Sequence, residues 1–400
     1  MNSRYYILFL IFVLFLAQNV MNFFGISNKI YALYVGIAIV FMIFNKQCLA
    51  RSNKNIMIFI VLSVLVAFLK MKMTPGEGAK VRALNLISMP IIFGCFPTIA
   101  SSPHFWKKAT KVILFFYVVE CGLAIFERIT LTNIFPWNIN TDSITMMMDT
   151  GDDAGEFRSF ALLGHPLQNA LPVCTMMAFI LCSTTMKTSR KILLWLLGYV
   201  AIFCFNTRSS MVGAAFILGL YLLKEYMTNR KISFAKKNIM LFGAMVGAIG
   251  FVYVAVSLNL GGRLFEMGLF DENSAQVRVD TWSIFDYFKL SDFMFGVGDK
   301  AREKILFRAG LYTTENFWID YLISLGVIGF GILIYAYILA IRSIYHNFKF
   351  WDIIITLASF ILIASTNNSL SASWMPLFIY MISICIFSYN EMLPEKRVKK

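Results

Sequence analysis

The run YYILFLIFVLFLAQNVMNFFG, Tyr5 to Gly25, carries no charged side chain and is long enough to cross about 30 Å of hydrocarbon as one helix. Arg4 precedes it, but the apolar stretch is too long for a signal-peptide core and no small-residue cleavage site follows. It reads as a first membrane span. The whole chain shares its character: 58% of the 400 residues are apolar, 14% are charged and the mean hydropathy is +0.69, more than a water-soluble core requires.

Apolar windows of roughly 17 to 25 residues, several a little shorter, recur along the chain. They fall at about 29–45, 55–70, 83–101, 111–127, 166–184, 192–206, 209–224, 238–258, 316–341, 352–366 and 374–390. The fold expected is an all-α polytopic membrane protein of about 12 transmembrane helices (10–12). No repeat, linker or low-complexity segment divides residues 1–400, so a single integral membrane domain is expected.

Lysine and arginine in short connections set orientation. Arg4, Lys46, Arg51, Lys54, Lys107, Lys108, Lys111, Lys187, Arg190, Lys191, Lys224, Arg230, Lys231, Lys236, Lys237, Arg342, Lys349 and the C-terminal cluster of Lys396, Arg397, Lys399 and Lys400 fall on one side of a twelve-span arrangement. That side is expected to be cytoplasmic, with both termini on it. The net charge of +14 is then mostly topology and argues for no nucleic-acid partner. The other side carries two long polar connections, about 128–165 and 259–315. Seven cysteines without a CxxC pair and three isolated histidines give neither a disulfide framework nor a metal-ligand spacing.

The cations on the outer side stand against that rule. KMKMTPGEGAKVR places Lys70, Lys72, Lys80 and Arg82 there. Two readings stand: a Pro/Gly loop that tolerates charge beside neutral lipid, or a dock for an anionic headgroup. Arg158, Arg208 and Arg278 join them. A single boundary arginine commonly snorkels, but an outward-facing basic pocket accounts for all four arginines together, and guanidinium forks grip phosphate oxygens two at a time.

His165, before Pro166, reads either as a general base or as the start of a helix whose first turn accommodates proline. Asp149, Asp152, Asp153 and Glu156 read as a solvated loop, having neither Asp-x-Asp nor EF-hand spacing. Gly296 and Gly298 in FGVGDKA lack the third glycine of a dinucleotide fingerprint and fit a tight turn. Trp282, Phe285 and Phe288 recur every three residues, the pattern of an amphipathic interfacial helix. Beyond it, Glu315 and Asn316 stand immediately before a span in which Gly326 and Gly329 allow close helix packing.

Taken in order, these motifs resemble the O-antigen polymerase and ligase superfamily. They are Arg158 followed by Gly164-His165-Pro166 before a span, Thr207-Arg208-Ser209-Ser210 between two spans, and Arg278-x-x-x-Trp282 leading to Phe295-Gly296-Val297-Gly298. Glu315-Asn316 before an aromatic span with Gly326-x-x-Gly329 completes the set. The resemblance covers roughly residues 70 to 335. It implies a GT-C-like membrane glycosyltransferase that acts on undecaprenyl-diphosphate-linked oligosaccharides at the outer face of the bacterial cytoplasmic membrane, without nucleotide sugar, metal or other cofactor. It implies functional roles for Arg158, Arg208 and Arg278, and as partners a flippase acting upstream and a polysaccharide chain-length regulator. The ligases of this superfamily carry a histidine in a His-Asn pair where this chain has Glu315, which favours the polymerase branch.

The chemistry agrees with the residue types. An acceptor hydroxyl attacks the anomeric carbon while a polyprenyl diphosphate leaves with growing negative charge. Arginines aimed at that charge stabilise it, by roughly 3 to 4 kcal/mol per well-placed donor in other enzymes. Glu315 or His165 would take the proton; Arg82, Arg158, Lys80 and Asn316 would hold substrate. The diphosphate stores the energy, and no G-x-x-x-x-G-K-[ST] occurs. Two alternatives remain: ligation to a lipid A core, and a transporter or lipid-oligosaccharide flippase, for which two related halves and charges along a central path would be expected.

Overall fold

The computed structural model describes residues 3–24, 30–44, 54–73, 77–95, 103–135, 157–228, 281–311, 314, 316–345, 348–366, 370 and 375–391, with a few positions between 233 and 257. All secondary structure among them is helical. In chain order the helices are α1 Ser3–Phe15, α2 Gln18–Phe23, α3 Ile30–Phe44, α4 Lys54–Met73, α5 Glu77–Cys95, α6 Pro103–Thr130, α7 Pro166–Cys182, α8 Thr188–Phe205 and α9 Arg208–Thr228. After a 3-10 helix, Thr281–Tyr287, come α10 Leu290–Phe295, α11 Asp299–Arg308, α12 Phe317–Tyr345, α13 Phe350–Ala364 and α14 Met375–Glu391.

Each apolar window except 238–258, most of which lies outside the described residues, coincides with a helix. The first is divided between α1 and α2, and the hydroxyl of Tyr34 donates to the Leu16 carbonyl at that division. Among the described residues five helices are long and apolar enough to cross a membrane: α4, α6, α8, α9 and α12. Large apolar side chains such as Phe115, Leu193, Phe216, Tyr335 and Ile338 lie exposed on four of them. Water disfavours such surfaces; lipid accepts them.

The chain groups into two compact units. The first comprises Met1–Phe116, Glu272–Phe348 and Ala364–Lys400. In it α4 packs on α5 and α12, α3 on α5, and α14 on both α12 and α5. Small residues let the helices approach: Ala67 and Ala83 are fully buried among Val66, Leu86, Leu325 and Leu333.

One crossing within this unit departs from helical geometry. Gly326 has φ 65°, ψ 173° inside α12, and Gly296, ending α10, has φ 79°. The two lie back to back: a Cβ on Gly296 would fall 2.6 Å from the Ser324 carbonyl oxygen, and one on Gly326 would fall 2.5 Å from the Gly296 nitrogen. The Val297 N–H donates to the Ile323 carbonyl at 2.9 Å across the crossing. Beside the break, the buried Lys70 ammonium donates to the Ser324 carbonyl and to the Val297 carbonyl. Lys70 is thereby built into the backbone crossing. Lys72 is exposed, and the side chains of Lys80 and Arg82, in α5, lie outside the described residues.

The expected amphipathic helix takes a tighter form. Thr281–Tyr287 is a 3-10 helix with three residues per turn, and the Phe288 N–H just beyond it still donates to the Phe285 carbonyl, so Trp282, Phe285 and Phe288 follow one another with centroids 5.9 and 5.4 Å apart. Ile284 lies on its buried side with Val297, Ile305, Leu306, Leu311, Ile319 and Ile323.

The second unit comprises Tyr117–Asp271 and Lys349–Ile363. Here α7, α8 and α9 pack on one another. The Tyr117 hydroxyl donates to the Leu194 carbonyl at 2.8 Å, and Gly213 of α9 faces Ile363 of α13. Lys224 pairs with Asp352 at 2.6 Å, near the end of α9 away from Arg208. Cys121, Cys174, Cys182, Cys204 and Cys385 are buried and form no disulfide, small apolar residues of the cores they occupy.

Candidate functional site

In the second unit, Phe157 to Gly164 has no regular structure yet is almost wholly buried. The sequence suggested the end of an outer loop; the structure has a segment folded into the helices. Irregular backbone within a membrane protein must find its hydrogen bonds inside the protein, and this segment does. The Ser159 N–H donates to the Cys204 carbonyl at 3.1 Å. The Phe160 and Ala161 N–H groups donate to Glu127 Oε2 at 2.8 and 2.9 Å. The Leu162 N–H donates to Glu120 Oε2 at 3.2 Å, and the Asn169 side-chain amide donates to the Phe160 carbonyl. Ala161 at φ 41° and Gly164 at φ 79° turn the backbone so that it can wrap these acceptors.

His165 ends the segment and begins α7. Its backbone is extended, and Nδ1 accepts the Leu167 N–H at 3.1 Å as a helix N-cap, with Pro166 in the first turn. Burial first, and the charge of Arg158 second, push the imidazole down to about 3 from its usual 6.5. This ring is neutral at physiological pH.

The Thr-Arg-Ser-Ser stretch is the turn between α8 and α9. Asn206 closes α8 in the left-handed region at φ 52°, which asparagine tolerates better than most residues. The Thr207 carbonyl then accepts the N–H groups of Ser210 and Met211, both at 3.1 Å, so Arg208 stands at the first position of α9. A cation there faces the positive end of the helix dipole, which favours anions. The Asn206 amide donates to the Phe157 carbonyl at 3.5 Å, linking this turn to the residue before Arg158. Arg158, His165 and Arg208 thus belong to one unit and to one connected set of backbone contacts.

Asn316 belongs to the first unit and serves the start of α12. Its Oδ1 accepts the Trp318 N–H at 2.9 Å and its amide donates to the Ser365 carbonyl at 3.4 Å. Glu315 and Arg278, the remaining two candidates, lie outside the described residues. Close to Asn316, Asp320 Oδ1 receives both Arg302 and the Thr314 hydroxyl, the latter at 3.0 Å. This ion pair was not anticipated, and neither were Glu120 and Glu127. Glu120 interrupts the apolar stretch of α6 between Lys111 and Glu127, and the seven-residue spacing that puts the two glutamates on one helical face is a signal in the sequence.

The neutral ring of His165 makes a prediction. Its folded pKa lies below its unfolded one, so the unfolded chain binds more protons between about pH 3 and 6.5. The associated stability is fully present above 6.5 and is lost as pH falls toward 3, at about 1.4 kcal/mol per pH unit at most. His165→Asn keeps a capping side chain and removes the titration. Thermal unfolding in detergent between pH 7 and 4 should be steeper in pH for the wild type than for this variant; equal slopes would contradict the assignment.

Compared with known proteins, the chain matches no family model and no curated sequence.

Proposed function

We propose that the chain is a polysaccharide polymerase of GT-C-like architecture with about twelve spans, in the bacterial cytoplasmic membrane and with both termini cytoplasmic. It joins O-antigen or capsule repeat units carried on undecaprenyl diphosphate. The observation that carries the reading is Arg208 at the first position of an apolar helix, in one contact network with Arg158. Cations set against the positive end of a helix dipole are poorly placed as structural charges and well placed to meet an anion that the same helix end attracts.

In the reaction proposed, the acceptor hydroxyl attacks the anomeric carbon, the bond from that carbon to the diphosphate oxygen breaks, and undecaprenyl diphosphate leaves with the electron pair. Arg158, Arg208 and Arg278 are assigned to the charge that develops on it. Lys80, Arg82 and Asn316 are assigned to holding substrate. The hydroxyl proton goes to Glu315, because the Nδ1 of His165 is engaged as a helix cap and the ring is a weak base.

The transport alternative has one observation in its favour, the interruption of α12 at Gly326, since broken helices form ion and substrate sites in transporters. Here the Ser324 carbonyl beside the break accepts from Lys70, a contact that ties the interruption to the packing of α4 on α12. The discriminating experiment supplies the purified protein in turn with carrier-linked acceptor, with lipid A core, and with a sealed bilayer. Elongation on the carrier supports the polymerase; transfer only to the core, or passage of substrate across the bilayer without transfer, supports one of its rivals.

A further inference from the structure

Arg158 is held from both sides by one end of α6, through groups that the proposed chemistry does not use. Before it, the Phe157 carbonyl accepts from the Arg128 guanidinium at 3.2 Å and from the Asn206 amide. After it, the Ser159 hydroxyl donates to the Ala124 carbonyl at 2.7 Å. The next two N–H groups, of Phe160 and Ala161, end on Glu127 Oε2, while Oε1 accepts the Ile134 N–H at 2.9 Å.

Glu127 is fully buried and lies in the last turn of its helix, where the dipole disfavours a carboxylate. Its three charge-assisted backbone hydrogen bonds offset that placement. Two successive N–H groups, the second from the left-handed residue Ala161, form the kind of concave donor pair that usually receives an anion; in this protein the anion is its own side chain. Arg128, one residue on, takes the opposite polarity and holds a carbonyl. The Glu127-Arg128 pair therefore fixes donors and acceptors on either side of Arg158 at once.

We propose that Glu127 is the positioning residue for Arg158: its carboxylate sets the backbone from which that guanidinium is presented. The proposal rests on the reading that Arg158 serves glycan transfer. Glu127→Gln preserves shape but replaces one acceptor oxygen with a donor, so at least one backbone N–H loses its partner.

The test is a double-mutant cycle with the full-length protein in nanodiscs and an undecaprenyl-diphosphate-linked oligosaccharide, joined to a measurement that needs no activity. Glu127→Gln should slow transfer about tenfold, Arg158→Ala should slow it more, and the double variant should match Arg158→Ala within about twofold, because Glu127 acts through it. Losses that multiply would overturn the proposal.

The second measurement is the rate at which phenylglyoxal modifies Arg158, read by mass spectrometry, with the exposed Arg190 as internal control. Arg158 should react about tenfold faster in Glu127→Gln while Arg190 is unchanged; equal rates at Arg158 would overturn the proposal. If the wild type transfers nothing, the polymerase reading fails and this measurement alone decides the positioning role. Should Glu127→Gln not fold, Asn133→Ala removes the second acceptor of the Phe160 N–H, at 3.1 Å. It should raise Arg158 reactivity in the same direction by a smaller factor, and no rise would count against the proposal.

Discussion

Replacing Arg208 by alanine is expected to abolish chain extension while leaving a folded, membrane-inserted protein. The side chain is half-buried at the first position of α9. The backbone of its turn is held by Asn206 in the left-handed region and by the Thr207 carbonyl, which accepts from Ser210 and Met211, so truncation beyond Cβ leaves the turn intact. Loss of one donor aimed at developing charge costs about 10²- to 10³-fold in rate elsewhere, and the same is expected here. Arg208→Lys should recover little, because an ammonium cannot reproduce the planar two-point grip. Gel analysis of the glycan, with membrane abundance as control, measures both; long-chain polymer at wild-type level in Arg208→Ala would contradict the assignment.

The largest effect on stability is expected at Gly326. An alanine Cβ there would meet the backbone of Met294 and Gly296, and the φ of 65° is strained for any L side chain. Neither partner can move away cheaply, because the Val297 to Ile323 hydrogen bond and the Lys70 contacts tie the same strands of backbone together. Gly326→Ala should lose about 4 kcal/mol or more. Gly329→Ala is the matched comparison: its Cβ would meet only Leu325 Cβ, at 3.2 Å, and it should change stability by about 1 kcal/mol or less. Thermal unfolding in one detergent reads both. Similar effects at the two glycines would contradict the backbone crossing.

The helices were legible in sequence wherever a long apolar run stood between charged connections, as in α4, α6, α8, α9 and α12. Lipid imposes that length and polarity on any spanning helix. The helix start at Pro166 and the turn at Asn206–Arg208 were legible because proline and the Thr-Arg-Ser-Ser polarity punctuate otherwise apolar sequence. Long-range polar contacts were not legible. Lys70 belongs to a basic cluster in sequence, and only folding brings it to Val297 and Ser324, more than two hundred residues away. The same holds for Glu120 and Glu127. Periodicity reports which face a residue occupies but not which backbone folds over it, so the burial of Phe157–His165 was not readable from its composition. The aromatic spacing at Trp282 predicts an amphipathic helix, and the observed turn is tighter because a strict three-residue repeat suits 3-10 geometry better than 3.6 residues per turn.

The most direct test of the central claim uses one purified protein. The wild type, reconstituted in nanodiscs with its undecaprenyl-diphosphate-linked repeat unit and treated with a chelator, is run beside Arg208→Ala and the products are resolved on a gel. The account predicts a ladder of longer carrier-linked glycans from the wild type and only the starting unit from the variant. A wild type that leaves the repeat unit unextended, or a variant that extends it equally well, would contradict it.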